Sequence, residues 1–188
     1  ALEMANLPIL TKAMYNAKWI SDFYVSMYSL SATLDLSRDM KENILLIADQ
    51  SSHLLPDSSY SSKMYEFVKS QYESGITWEE ARDNIYNRYQ VKSEDGYDIT
   101  SKNLYCNGCF AAGINFAASL ISLFWGEGDL KETIKIGTLT GWDSDNPTST
   151  WGGLIGFIIG KEGVEREFDT IFSEKYFSYK LTSDSSKG

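Results

Sequence analysis

Apolar residues recur at helical spacing through most of the chain. Trp19, Phe23, Met27, Leu30 and Leu34 step by three or four and mark one helix face. Met40, Ile44, Ile47 and Ala48 mark a second helix, closed by the Ser51-Ser52-His53 turn and Pro56. Tyr60, Met64, Phe67, Val68 and Tyr72 form a third stripe that stops at Gly75, a residue suited to the left-handed end of a helix. Thr77 with Glu80 has capping-box spacing ahead of Ala81, Ile85 and Tyr89. The polar stretch 92–101 reads as a loop.

From Leu104 to Trp125 nearly every position is apolar or small. A helix with no polar face belongs at the centre of a bundle. Gly126-Glu127-Gly128 ends it, and Asp129 caps the next helix, whose face runs through Leu130, Ile134 and positions 137–138. Pro147 suits the first turn of a further helix. There Trp151, Leu154, Ile155, Ile158 and Ile159 form the stripe, while Gly152, Gly156 and Gly160 repeat every four residues and admit a neighbouring backbone. A last helix is expected over Gly163–Tyr179. No stretch alternates with the period of a strand, and no repeat is visible. The expectation is an all-α, compact multi-helix bundle: one domain over 1–181 and a frayed tail over 182–188.

Composition supports a packed domain: of 188 residues, 43% are hydrophobic and 14% aromatic, ample for a core. The net charge of −9 argues against a nucleic-acid backbone or an anionic membrane surface as partner. No apolar run approaches the ~20 residues of a membrane-spanning helix. The chain begins at Ala1 rather than Met, so an upstream segment or leader removed before Ala1 stays open, and with it the compartment.

The most informative segment is Gly141-Trp142-Asp143-Ser144-Asp145-Asn146-Pro147, which joins two helices. Asp143 and Asp145 are two residues apart, so in an extended or turn backbone both carboxylates face one side. A hard divalent cation favours such paired oxygens, and Asn146 adds an amide oxygen. The competing reading makes Asp145 or Asn146 a helix cap and Asp143 a solvated loop acid. An EF-hand is excluded: counted from Asp143, the sixth place is Thr148 rather than Gly and the twelfth is Leu154 rather than Glu. A glycosyltransferase-type D-x-D site needs an α/β setting that is missing. Cys106 and Cys109 form a C-x-x-C, but the only other soft ligand is the single histidine, His53, too few for zinc. The pair is expected to be reduced, small and buried, one turn apart at the head of the central helix. His53 reads as a turn histidine.

These residues resemble the C-terminal half to two-thirds of the ADP-ribosylglycohydrolases, the dinitrogenase-reductase-activating glycohydrolase group. That family's late G-[GW]-D-[TS]-D-[TSC] loop stands here as Gly141-Trp142-Asp143-Ser144-Asp145-Asn146. Its G-E-G-D-[FL] turn stands as Gly126-Glu127-Gly128-Asp129-Leu130, and its leucine-proline-acid-Ser element as Leu55-Pro56-Asp57-Ser58. Two features depart from the pattern. The family's first metal cluster, of Thr/Ser-Asp-Asp type, is missing, and Asn146 replaces Thr, Ser or Cys.

The resemblance implies a helical domain with a two-ion Mg²⁺ site, to which Asp143, Asp145 and Asn146 contribute as metal ligands. It implies that Gly141, Trp142 and, at the head of the central helix, Asn107 contact substrate. The implied activity is hydrolysis of the glycosidic bond between ADP-ribose and an acceptor, with the remaining ligands supplied by an N-terminal portion outside this chain. It implies ADP-ribose or an ADP-ribosylated substrate as partner and, by family habit, a cytoplasmic location. No residue is assigned as general acid or base. The alternative is a non-catalytic, crystallin-like binding or structural protein on the same scaffold.

Overall fold

A computed structural model describes residues 1–98 and 105–175. Among these there are eight α-helices and no strand: α1 Leu2–Leu10, α2 Asn16–Ser31, α3 Met40–Ser52, α4 Tyr60–Glu73, α5 Trp78–Ile85, α6 Ala112–Gly126, α7 Leu130–Thr140 and α8 Asp145–Phe168. The all-α expectation holds. The expected tail, 182–188, lies outside the described residues.

The molecule is organised around α6. Gly113 through Phe124 are all buried, and the helix touches α2, α3, α4, α5, α7 and α8. A sequence with no polar face can be stable only where every face has an apolar partner. Phe23 of α2, Tyr65 of α4 and Trp151 of α8 close on it as fully or almost fully buried rings. Polar tips are satisfied as they go under: the Trp151 indole N–H donates to the Ser119 carbonyl at 2.8 Å, and the Tyr24 and Ser119 hydroxyls pair at 2.8 Å. Burial pushes the Tyr24 phenol up to about 12, against the smaller pull of that hydrogen bond.

Local signals set most boundaries. The Asp39, Ser59 and Asp129 side chains each accept a backbone N–H at the start of α3, α4 and α7. Thr77 and Glu80 complete the reciprocal capping box of α5. Gly75 ends α4 with φ of 75°. α5 runs on into a π-helical turn, Tyr86–Val91, which buries Tyr89 and Gln90.

Four expectations are corrected. α6 starts at Ala112 rather than 104, because Cys106 (φ 54°) and Gly108 (φ 82°) turn the chain through a separate 3₁₀ segment, Tyr105–Gly108. The inward face of α7 is Leu130, Thr133, Ile136, Gly137 and Thr140, one position around from the expected one, with Thr138 exposed. The glycine series on α8 is not a packing ladder. Cβ atoms at Gly152 and Gly156 would make ordinary contacts at 3.5 Å, and Gly160 has open space and φ of 70°, a kink inside α8. Tyr28 of α2 instead seats its hydroxyl where a Cβ of Gly153 would be, at 2.8 Å, and donates to the Thr150 carbonyl. Finally, no separate helix starts at Gly163: that segment is the end of α8, which stops at Phe168, 169–175 are not helical, and the expected part over 176–179 lies outside the described residues.

Candidate functional site

The loop between α7 and α8 begins with Gly141 at φ 99° and Trp142 at φ 54°, two consecutive left-handed residues that reverse the chain. They swing the Trp142 ring inward, where its indole N–H donates to the Gln90 side-chain oxygen at 2.6 Å. The next residue, Asp143, is fixed from below. Its backbone N–H donates to Asn115 Oδ1 at 3.0 Å, and the Asn115 amide nitrogen donates to the carbonyls of Cys109 at 2.7 Å and Ala111 at 3.0 Å. Asn115 is 4% exposed, so one buried side chain of α6 holds the loop and the turn before α6 together.

The neighbouring Asp145 side chain, then partial desolvation, then the repulsion between the two acids hold the Asp143 carboxyl above its ordinary value. Neither acid forms an ion pair with a described lysine or arginine. The capping reading fails on geometry. The residue preceding α8 is Ser144, no side chain caps the helix, and Asp145 and Asn146 lie inside its first turn.

Asp143 and Asn146 line a cleft of about 370 Å³ with Ser21, Tyr24, Phe110 and Thr150. Asp145 is exposed and is not among the residues that line it. Of the expected ligands, then, the structure brings Asp143 and Asn146 to one concavity and leaves Asp145, between them in sequence, exposed. Gly141 and Trp142 do not line this cleft. Gly141 serves the chain reversal, and Trp142 packs against the core. Asn107 lies in the 3₁₀ turn rather than at the head of α6, and its side chain lies outside the described residues. Asp57 lines a different cleft, with Lys63, Glu66, Arg88 and Asp95.

The cysteines overturn their expectation. Cys106 and Cys109 form a disulfide, and Cys106 is exposed. The 3₁₀ geometry draws their Cα atoms to 5.4 Å, within bridging range, with the Cys109 N–H donating to the Cys106 carbonyl. The Asn107-Gly108 dipeptide between them is the turn signal that a helical reading passed over. His53 is the exposed residue ending α3.

Asn115 is the site residue that sequence reasoning missed. A lone asparagine within an apolar run was its only signal. Gln90, on the π turn, was missed too.

Among the described residues no group of three or more His, Cys, Asp or Glu side chains comes together. Two carboxylates still suit magnesium, which commonly keeps several waters and takes one or two carboxylates plus oxygens of its substrate. No helix among the described residues is long and apolar enough to cross a membrane. Comparison with known proteins finds no matching family model, no matching curated protein and no matching solved structure. The likeness to the ADP-ribosylglycohydrolases rests on the three motifs alone.

Proposed function

We propose that this chain carries one half of a magnesium-dependent ADP-ribosyl hydrolase site, centred on Asp143 and Asp145. The observation that supports it is the carboxyl pair itself: Asp143 lines a cleft, Asp145 stands exposed two residues on, and no described basic residue is paired to either. Such a pair takes up a proton or a cation to relieve its repulsion.

The chain's own groups fit a ribosyl unit. The Ser21 and Thr150 hydroxyls and the Asn146 amide are hydrogen-bonding partners for sugar hydroxyls, and Phe110 and Phe116 give apolar walls that limit water. Glycosidic cleavage develops positive charge on the sugar ring, which nearby carboxylates favour. Asn115 keeps Asp143 in place through its backbone. Magnesium bound here supplies a fixed positive charge that orients ribose hydroxyls and makes a water more acidic. The reading requires further ligands from a preceding segment of a longer protein.

Thermal stability of the chain with magnesium plus ADP-ribose tests this. Stabilisation is expected for the wild type, lost in Asp145→Ala and on chelation, with no release of ADP-ribose from a modified protein by this chain alone. Stabilisation that survives in Asp145→Ala overturns the metal reading. ADP-ribose binding that ignores chelation favours the non-catalytic alternative. Chelator-sensitive hydrolysis by this chain shows the site to be complete.

A further inference from the structure

Beside the Asp143 cleft, and sharing Ala17, Phe110 and Ala112 with it, lies a second cleft of about 400 Å³. Its lining includes four aromatic residues, Tyr15, Tyr60, Tyr97 and Phe110. Tyr15 and Phe110 are 73% and 53% exposed, and Tyr60 is half-buried between them and the core. The buried Tyr97 holds the Tyr60 ring edge-on at 5.1 Å between centroids, and its own hydroxyl accepts the Ile114 N–H at 3.1 Å. Gly113 makes this packing feasible: a Cβ there would collide with the Tyr97 ring and stand 2.9 Å from the Tyr60 ring. Asp98, exposed, adds a carboxylate at the edge, and no lysine or arginine is among the described lining residues.

Tyr15 is the telling member. Its backbone sits at φ 51° and ψ −125°, where a bulky side chain is strained. The residue begins α2, its carbonyl accepting the Trp19 N–H, and that task suits glycine or asparagine better. Burial does not explain the ring, which faces solvent. A strained, exposed aromatic beside two others and an acid matches what a quaternary or methylated ammonium group needs. Ring faces attract the cation through their quadrupole, and the carboxylate supplies the long-range pull.

We propose that Tyr15, Tyr60, Phe110 and Asp98 form a binding site for an alkylated ammonium group. The cation enters over the exposed faces of Tyr15 and Phe110, rests against Tyr60 and turns its charge toward Asp98. Tyr97 and Gly113 are positioning residues that fix the Tyr60 ring. None of its four residues is a proposed metal ligand, so the site does not rest on the magnesium reading, although Phe110 also walls the neighbouring cleft.

Calorimetric titration of the chain with choline tests it, alongside 3,3-dimethyl-1-butanol, the uncharged carbon isostere, and a trimethyllysine peptide. Saturable one-to-one binding of choline or of the peptide is expected, the tighter of the two naming the source of the cation. The neutral alcohol is expected to bind roughly tenfold more weakly or not at all. Tyr15→Gly relieves the backbone and removes the ring, so binding is expected to fall while Tm holds or rises. Should that variant fail to fold, Asp98→Asn, at an exposed position, is expected to weaken choline binding while leaving the alcohol unaffected. Equal binding of choline and the alcohol, absence of saturable binding by either cation, or undiminished choline binding in a folded Tyr15→Gly overturns the proposal.

Discussion

The two ends of α7 carry acids in turns, and they treat them in opposite ways. At the start, Glu127 occupies a left-handed position and its carboxylate accepts from the Lys41 ammonium at 2.7 Å and the Tyr72 hydroxyl at 2.6 Å. Those two bonds hold Glu127 below its ordinary value, so its charge closes the gap between α3, α4 and α6. At the far end, Asp143 meets another acid instead of a base, and is held above its ordinary value. One turn uses its charge internally. The other keeps it uncompensated at the mouth of a cleft. Charge left over after folding is charge available to a ligand, and this contrast separates the turn proposed to bind from the structural one even though both resemble the same family's motifs.

The largest expected effect comes from removing the anchor of the open end. Asn115→Ala deletes three hydrogen bonds inside the protein, at about 1 kcal/mol each, for a loss of about 3 kcal/mol in denaturant unfolding. The magnesium response is expected to go with it, while Lys41, Glu127 and Tyr72 keep their geometry. A loss below 1 kcal/mol would mean the loop is held by something other than Asn115.

Next comes the disulfide. Reduction, or Cys106→Ser with Cys109→Ser, is expected to cost roughly 1–2 kcal/mol, since a short loop gains little entropy on release. The effect is directional: amide exchange should rise around Asn115 and Asp143, because Asn115 binds the Cys109 carbonyl, and stay unchanged around Glu127. Equal loosening at both ends would break the comparison.

The smallest effects are in pH dependence, and they carry opposite signs. A raised acid favours the fold when protonated, so the Asp143 contribution is full below its ordinary 3.8 and is lost as pH rises through the higher folded value. Asp143→Asn is therefore expected to raise Tm at pH 7 and leave it nearly unchanged at pH 3. Glu127 is a lowered acid, so its contribution is present above its ordinary 4.5 and lost as pH falls through the lower folded value. Glu127→Gln is expected to lower Tm at pH 7, modestly because the carboxylate is partly exposed, and to have little effect in strong acid. Like signs for the two variants at pH 7 would show that charge balance does not distinguish the turns.

Much of this was legible in the sequence because local rules govern it. The Thr77/Glu80 box, the Asp129 cap and the all-apolar run that became α6 each announce themselves within a few residues. The Asp-Ser-Asp loop was found for the same reason, and its cleft sits where the helix boundary put it. What escaped reading depends on residues far apart in the chain. Nothing near Trp142 points to Gln90, 52 positions earlier, and nothing near Asp143 points to Asn115. The α8 glycines misled because spacing cannot say which glycine faces a neighbour. Gly153 does so, against Tyr28 from α2, while Gly160 bends the helix. The cysteines misled because apolar composition hid two left-handed residues.

The enclosure of α6 has a bearing on how the molecule breathes. Six helices cover it, so no partial opening bares its amides while the remainder stays intact. Its hydrogens can exchange with solvent only when the whole fold comes apart, and their exchange rate is a clock for global unfolding. α1, with no buried residue, has no such enclosure and is expected to exchange far faster. One exchange experiment thus reads two free energies from one chain, and a ligand that tightens the whole fold will slow the first clock while leaving the second alone.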